Sequence, residues 1–262
     1  MWNVKDHRKP ALMEPKKTPC NRVLTVVNYP ETKFMITVSK EDYLKAILEA
    51  EGEGEQVIAA RLAQWLSVSP PAVTMALRRL KRDGLVSVRA DGRVQLTAAG
   101  RKIARRTAIR HHLIERMLHE VFGMEWYKVH DEAERLEHAV SGDFEALLSR
   151  KLGRSGPCPH GNQPTPESPR AKRKRGLLLL SEGQPGSRYA VRSVYERDRK
   201  LGEFLEKLGI RPGAELVVSQ LNYDDTLSLV TGTGRASLGD RAAEKVWVAP
   251  AGESIPTRPK KN

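Results

Sequence analysis

Residues 130–141, HDEAERLEHAVS, combine imidazole and carboxylate side chains and contain no cysteine. If this segment is a helix with about 100° between successive residues, four of its side chains share a sector about 100° wide over two turns. These side chains are His130, Glu134, Glu137 and His138. Divalent transition metals bind nitrogen and oxygen atoms of these kinds, so the segment is a candidate metal site.

The preceding predicted helix carries a matching pair. His111 and Glu115 are four residues apart and therefore lie one above the other, with His112 and His119 close by. If the two helices pack antiparallel, the two groups face each other, and their imidazoles and carboxylates suit Mn²⁺ or Fe²⁺ better than a thiolate-rich zinc site does. The alternative is two solvated helices, stabilised by charged pairs four residues apart. Five of the seven histidines fall within residues 111–138, which favours the metal site.

The part of the chain before these helices predicts a DNA-binding domain. Two β-rich runs joined by an Asp-Gly hairpin signal follow three segments of helical spacing, at residues 39–50, 56–66 and 70–84. Helix, helix, tight turn, helix and hairpin is the order of a winged helix-turn-helix domain, which we place at residues 36–98. The alternative is a generic small α+β domain.

In a helix-turn-helix domain the second helix enters the major groove, and its first residues meet the base edges. Side chains able to bond a base or phosphate there, or to pack on a thymine methyl, are Ser69, Pro71, Ala72, Thr74 and Met75. One turn later Arg78 and Arg79 can reach phosphate, and Arg89 and Arg93 flank the turn of the wing. For each arginine taken alone, a solvated surface is the alternative.

Composition divides the remaining chain. Residues 99–152 look helical throughout, whereas 153–176 are rich in Pro and Gly and then basic, which predicts a linker. Several short β-like runs within 177–250 predict a small β-barrel. Residues 1–35 predict a mostly disordered basic arm, and 251–262 a tail. The predicted fold is therefore mostly α with a small β domain.

Charge and composition narrow the function. The 262-residue chain has a net charge of +13, which suits a polyanionic partner, and double-stranded DNA is the first candidate. No apolar run approaches the roughly 18 residues of a membrane span, and Cys20 and Cys158 form no disulfide framework, so we expect a cytoplasmic protein with no membrane partner. The chain has no nucleophile elbow, phosphate loop or H-E-x-x-H motif. We therefore expect no enzyme activity and no small organic substrate, with a metal-dependent hydrolase as the alternative.

Five stretches carry a resemblance to a known family: EDYLKAIL (41–48), SVSPPAVTMALRRLKRDGLV (67–86), LTAAGRKIA (96–104), RHHLIERML (110–118) and VHDEAERLEHAVS (129–141). With them the chain resembles the diphtheria toxin repressor family of metal-dependent transcriptional regulators. CPHGNQPTP (158–166) and LGIRPG (208–213) are similar to the family's linker and to its C-terminal SH3-like (FeoA-like) domain. The resemblance implies an α-helical dimerisation domain at 99–152 and an SH3-like β-barrel at 177–250.

The resemblance also implies two metal sites, one formed by His111, Glu115 and His130 and a regulatory one formed by Asp42, Glu134, Glu137 and His138. Glu134 stands where the iron-responsive branch carries Cys, and Asp42 stands where it carries Met. Both changes replace sulfur with oxygen, which favours Mn²⁺ over Fe²⁺. The manganese branch has an acidic ligand one turn after Asp42, where this chain has Lys45. In some members the SH3-like domain donates a ligand, for which Glu196 and Asp198 are the candidates.

The function implied by the resemblance is a homodimeric, metal-activated repressor of metal-uptake genes. A metal would tie Asp42 of the winged domain to the helical dimer core and restrict the separation of the two recognition helices. A palindromic DNA operator requires such a defined separation. The alternative is a winged-helix transcription factor whose metal site is vestigial or purely structural.

Overall fold

The computed structural model describes residues 38–54 and 56–251. The predicted N-terminal arm at 1–35 lies outside these residues, as does the predicted tail beyond residue 251. Among the described residues, no helix is both long enough and apolar enough to cross a membrane.

Three helices and a hairpin open the described chain: α1 (Val38–Gly52), α2 (Ala59–Trp65), α3 (Pro70–Arg82), β1 (Val86–Val88) and β2 (Val94–Leu96). The side chain of Ser69 accepts a hydrogen bond from the Ala72 amide and so caps the start of α3. β1 and β2 pair antiparallel, and apolar side chains of all three helices and both strands share one core. The predicted winged helix-turn-helix order is confirmed.

Three more helices follow: α4 (Ala98–Arg116), α5 (Val129–Leu136) and α6 (Gly142–Leu152). The Thr97 hydroxyl caps α4 and also donates to the Leu85 carbonyl, so the helix begins directly beneath the wing. Beyond Arg116 the helical path continues through a π-helical turn and ends at Gly123, whose φ of +69° favours glycine. The region 99–152, which the sequence predicts to be helical throughout, therefore opens with one long helical path that contains a wider turn. α5 and α6 both pack against α4.

The C-terminal part contains α7 (Pro169–Lys174), β3 (Leu178–Leu179), β4 (Arg188–Val194), α8 (Arg199–Lys207), β5 (Glu215–Leu221), β6 (Leu227–Thr231), β7 (Gly234–Leu238), α9 (Asp240–Ala243) and β8 (Val246–Pro250). The strands form one antiparallel sheet in the order β3-β8-β4-β5-β6-β7. The β-like runs that the sequence shows within 177–250 are therefore strands of one sheet. The edge strands give a weak sequence signal, because β3 has only two residues and β7 is mostly polar and exposed.

The C-terminal sheet domain packs closely against the helical part. The indole of Trp126 donates to Glu206 of α8 at 2.6 Å. Gly202 of α8 lies so close to Tyr127 that an added Cβ would be 2.7 Å from the Tyr127 Cβ. A side chain at position 202 would therefore push the two domains apart.

Residues 158–162, inside the predicted linker, form a compact loop against β4. The Cys158 amide donates to the Asn162 carbonyl at 2.9 Å, and the Val194 amide donates to the His160 carbonyl at 2.9 Å. An added Cβ at Gly161, where φ is +82°, would lie 1.9 Å from the Arg192 carbonyl oxygen. This close approach explains why glycine stands there, and it leaves Cys158 and His160 buried.

Candidate metal centres

His111, Glu115 and His130 meet at the contact between α4 and α5, and we call them the histidine group. His111 Nε2 lies 3.2 Å from Glu115 Oε1 and 3.0 Å from His130 Nδ1. His130 Nδ1 lies 3.3 Å from the same Glu115 oxygen. All three side chains are buried. The structure thus brings together the three residues that the sequence placed on two facing helices.

Asp42, Glu137 and His138 form a second set, which we call the interdomain group. Asp42 lies on α1 of the winged domain, whereas Glu137 and His138 directly follow α5. Asp42 Oδ1 is 2.7 Å from His138 Nε2, and Glu137 Oε1 is 3.5 Å from the same nitrogen. Candidate ligands from two domains therefore lie close together.

Lys45 lies beside the interdomain group. Its Nζ atom is 2.9 Å from Glu134 Oε1 and 2.7 and 2.9 Å from the two oxygens of Glu137. Its side chain is only 2 % exposed. Glu134 is therefore engaged by an ammonium, and among the predicted ligands of the regulatory site it is the one outside the interdomain group.

The charges in this region shift the ionisation of their neighbours. Burial raises the pKa of Glu134, but Lys45, His111 and His130 outweigh it and bring this pKa down to about 2. Burial and Lys45 lower the pKa of His111, yet the carboxylates of Glu115 and Glu137 raise it to about 10. Burial also raises the pKa of Asp42. The pocket therefore holds charged carboxylates in contact with cationic partners.

A third set, the cysteine group, consists of His112, Glu115, Cys158 and Glu196. The Cys158 thiol lies 3.7 Å from Glu196 Oε2, and Glu115 is shared with the histidine group. His160 lies beside this set, with its Nδ1 atom 3.5 Å from Glu115 Oε1 and 3.8 Å from the Cys158 sulfur. Loop 158–162 thus adds donors to the buried core of the helical domain.

The sequence signal for the cysteine group was the pair Cys158 and His160, two residues apart in CPH. The Pro- and Gly-rich composition of that stretch predicts a linker and gives no sign that these two side chains are buried. Of the two candidate ligands from the C-terminal domain, Glu196 belongs to the group. Asp198 instead accepts a hydrogen bond from the Leu201 amide and caps α8.

The donor sets fit divalent metal ions. In each group the candidate ligand atoms lie within 4.8 Å of one another. In and beside these groups, three buried nitrogen or oxygen atoms of the described residues have no hydrogen-bond partner: His112 Nδ1, Glu115 Oε2 and His160 Nε2. Buried polar atoms without a partner are costly, and a metal is one way to satisfy them. The interdomain group offers hard oxygen and imidazole donors, whereas the cysteine group adds a soft sulfur.

The predicted DNA-binding residues lie on the surface of the winged domain. All of the predicted contacts on α3 and in the wing are exposed: Ser69, Pro71, Ala72, Thr74, Met75, Arg78, Arg79, Arg89 and Arg93. The Thr74 hydroxyl donates to the Pro70 carbonyl at 3.0 Å, and Arg93 pairs with Asp91 at 2.9 Å. These two side chains therefore have partners within the protein, while Arg78 and Arg79 extend from the following turn.

Three known domain families match the chain in the order of its three parts. Residues 35–94 match the iron dependent repressor, N-terminal DNA binding domain. Residues 97–166 match the iron dependent repressor, metal binding and dimerisation domain, and residues 178–250 match the FeoA domain.

Two relatives align with this chain over most of their length. The diphtheria toxin repressor of Corynebacterium jeikeium is 32 % identical over 230 residues, which cover 79 % of this chain and 95 % of that protein. This chain belongs to the diphtheria toxin repressor family. The iron-dependent repressor IdeR of Mycobacterium leprae is another relative, 33 % identical over 221 residues, with 79 % of this chain and 95 % of that protein covered.

The fold of this diphtheria toxin repressor family member is also similar to that of a manganese-dependent transcriptional repressor solved in complex with manganese. The TM-score is 0.69 at 31 % identity, with 80 % of this chain and 99 % of the other covered. Iron-dependent and manganese-dependent proteins are thus both among its relatives, and the expected family is confirmed.

Proposed function

We propose that this chain is a homodimeric, metal-activated repressor that binds operator DNA and controls metal uptake, with Mn²⁺ favoured over Fe²⁺. The observation that carries the proposal is the 2.7 Å approach of Asp42 Oδ1 to His138 Nε2. Asp42 lies on α1 of the winged domain, and His138 follows α5 of the helical domain. One ion held by both residues would fix the position of the DNA-binding domain on the dimer core.

The residues that would hold this ion are Asp42, Glu137 and His138. A bound divalent ion supplies positive charge that Asp42 and Glu137 can share. Glu137 is fully buried and anchored by Lys45, so it presents a fixed oxygen. Asp42 is half-buried and lies on α1, which packs in the same core as the recognition helix α3. Affinity for DNA rises only as far as the ion binds the DNA-competent arrangement more tightly, typically about 5–150-fold per coupled site.

The preference for Mn²⁺ is argued from the donor atoms. The interdomain group contains two carboxylates and one imidazole and no sulfur. Carboxylates suit Mn²⁺, whereas thiolates and thioethers suit softer ions. The histidine and cysteine groups would then hold ions that stabilise the helical core and the docking of the FeoA domain.

The homodimer is supported by exposed apolar side chains on the helical domain. They include Val121, Phe122, Leu136, Phe144 and Leu147, and Phe122 is 70 % exposed. A subunit contact that covers these side chains would remove apolar surface from water. A two-fold dimer places two α3 helices on one face, so we propose a palindromic operator with half-sites about one helical turn apart, or a multiple of it.

The test is binding of a labelled promoter fragment, measured by fluorescence anisotropy with Mn²⁺, Fe²⁺, Zn²⁺ or chelator. Wild type is expected to bind at least tenfold more tightly with Mn²⁺ than with chelator. His138→Ala should lose this difference while circular dichroism and dimer mass remain unchanged. His119→Ala is the matched control, since His119 is exposed and contacts the Met124 carbonyl rather than a metal group. Equal binding with metal and with chelator would refute metal activation.

A second candidate function follows from Lys45. Its ammonium already joins α1 to Glu134 and Glu137, so a winged-helix repressor that needs no metal is the competing proposal. In that case chelator leaves DNA affinity unchanged, and Lys45→Met abolishes it. The same titration therefore separates the two candidates.

We place this regulator in the cytoplasm, where its operator is accessible, and propose that it is not an enzyme. The domain families that it matches are named for DNA binding, metal binding and dimerisation. A metal-dependent hydrolase would need an open coordination position facing a substrate pocket. The side chains of His111, Glu115 and His130 are buried, as are those of His112 and Cys158.

A further inference from the structure

Lys45 carries a buried ammonium group whose hydrogen-bond donors are all paired. An ammonium has three N–H donors, and Lys45 Nζ has three carboxylate oxygens within 2.9 Å, one from Glu134 and two from Glu137. A fourth neighbour, His111 Nδ1, lies at 3.4 Å. Buried lysines are rare unless paired, and here the pairing saturates the ammonium. Lys45 is thus held in one place rather than free to leave for solvent.

The Lys45 ammonium lies between the interdomain group and the histidine group. Glu137 belongs to the interdomain group, and its Oε2 atom is also 2.8 Å from His111 Nδ1 of the histidine group. Lys45 Nζ contacts both carboxylate oxygens of Glu137 and the Oε1 atom of Glu134. The oxygens that could bridge a second ion to the interdomain group are therefore the ones that bind the ammonium.

The charges of these side chains also favour one divalent ion over two. Asp42, Glu134 and Glu137 carry three negative charges when ionised, and Lys45 carries one positive charge. One divalent ion at the interdomain group makes this set neutral when its ligand His138 is uncharged, since the charge of His111 is matched by Glu115 at 3.2 Å. A second divalent ion would leave two uncompensated positive charges in a buried region, which is strongly unfavourable.

We propose that the Lys45 ammonium takes the place of a second cation, so that each subunit binds one divalent ion, and not a bridged pair, at the interdomain group. Lys45 is then a specificity-determining residue that sets the number of ions at the regulatory site. It also holds Glu134 and Glu137 in position before metal arrives. This inference rests on the proposed function of Asp42, Glu137 and His138 as ligands.

The first experiment counts ions in the full-length dimer. Mn²⁺ per subunit is measured by equilibrium dialysis and elemental analysis for wild type and for the Asp42→Ala/His138→Ala double variant. The double variant should bind one Mn²⁺ fewer per subunit. A loss of two would overturn the inference. No loss at all would instead refute the assignment of the interdomain group as a metal site, so the two failures are distinguishable.

The second experiment changes Lys45 itself. Lys45→Glu adds a carboxylate in place of the ammonium and should raise the count by one Mn²⁺ per subunit. Electron paramagnetic resonance should then show an additional exchange-coupled manganese pair, which is lost when Asp42→Ala and His138→Ala are added to Lys45→Glu. Lys102→Glu is the matched control, because Lys102 is an exposed residue of α4, and it should leave both readouts unchanged. A folded Lys45→Glu protein with an unchanged count would contradict the inference.

Lys45→Gln covers the case in which Lys45→Glu does not fold, because it removes the positive charge without adding a negative one. Loss of a cation next to Glu137 should tighten binding of the interdomain Mn²⁺ by at least tenfold, as measured by calorimetry. An unchanged dissociation constant would show that the ammonium does not compete with metal charge, and the inference would be wrong.

Discussion

Glu196 and Arg197 are adjacent in the chain, and their side chains contact two different domains. Glu196 Oε2 accepts from the Cys158 thiol at 3.7 Å, within the cysteine group. Arg197 pairs with Glu49 of α1, and its guanidinium lies 4.8 Å from the ring centre of Trp65 in α2. Two consecutive residues of the C-terminal domain therefore join a candidate metal group to the DNA-binding domain.

Arg197→Ala should weaken the docking of the C-terminal domain on α1. Both partners of the pair are largely buried, and removing one leaves Glu49 without its cation, which should lower the free energy of unfolding by about 2 kcal/mol. Loss of the contact with Trp65 should add roughly 0.5 kcal/mol. Urea denaturation measures the change, and hydrogen exchange should show faster exchange in α1.

Arg188→Ala is the control for this substitution. Arg188 pairs with Glu215 at 3.5 Å, and both side chains are more than half exposed. Solvent screens such pairs, so we expect a change below about 0.5 kcal/mol. Equal losses for Arg188→Ala and Arg197→Ala would argue against a special role for the interdomain pair.

Cys158→Ser should remove a sulfur ligand from the cysteine group. Co²⁺ bound by a thiolate gives a charge-transfer absorption that oxygen and nitrogen ligands do not give, so wild type loaded with Co²⁺ should show it and Cys158→Ser should not. Cys20→Ser is the matched control, since these are the two cysteines of the chain. If Cys158→Ser retains the band, the cysteine group does not bind metal through sulfur.

Arg78→Ala and Arg79→Ala test the recognition helix. If each arginine contacts a phosphate, each substitution should weaken operator binding and reduce the slope of log affinity against log salt by about 0.9. Arg235→Ala removes an exposed arginine from β7 of the C-terminal domain and should change neither quantity. If the slope of log affinity against log salt stays at the wild-type value for both variants, these arginines do not contact phosphates.

Metal binding at the histidine group should release a proton. The pKa of His111, raised to about 10, keeps the imidazole protonated at neutral pH, whereas a metal ligand must be neutral. As pH rises, fewer protons compete, so affinity for Mn²⁺ should increase roughly tenfold per pH unit between about pH 6 and pH 8. Calorimetry in buffers of different ionisation enthalpy counts the released proton. Adding Cys158→Ser to the Asp42→Ala/His138→Ala variant removes ligands of the other two groups, and a pH-independent affinity in this triple variant would contradict the expectation.

The local features of this fold could be predicted from sequence because their causes are local. Ser69 caps α3 at the start of the helical segment that the sequence predicts at residues 70–84, and Gly123 ends the helical path that begins with α4. The spacing of His111 and Glu115 likewise predicted that they would face α5. In each case the signal lies within a few residues of the feature.

The interdomain contacts depend on packing between distant residues and had no such signal. Asp42 and His138 are 96 residues apart, and only the family resemblance suggested that they meet. The resemblance singled out Lys45 because an acidic ligand stands there in the manganese branch. Its contact with Glu134 and Glu137 depends on how α1 lies against α5. The loop at Cys158 was hidden by a Pro- and Gly-rich composition, because its burial comes from contacts with β4.

Helix α4 connects the wing to the histidine group, so a small tilt of this helix displaces the wing. Its first turn is fastened to the wing, where an added Cβ at Gly100 would lie 2.0 Å from the Leu85 carbonyl oxygen. His111 lies further along the same rod, about 21 Å from Thr97 at roughly 1.5 Å per residue. A tilt of about 5° at His111 would therefore swing the wing by about 2 Å, enough to carry an arginine into or out of reach of a phosphate. Sub-ångström changes around an ion are thereby enlarged to the scale on which a DNA groove is read.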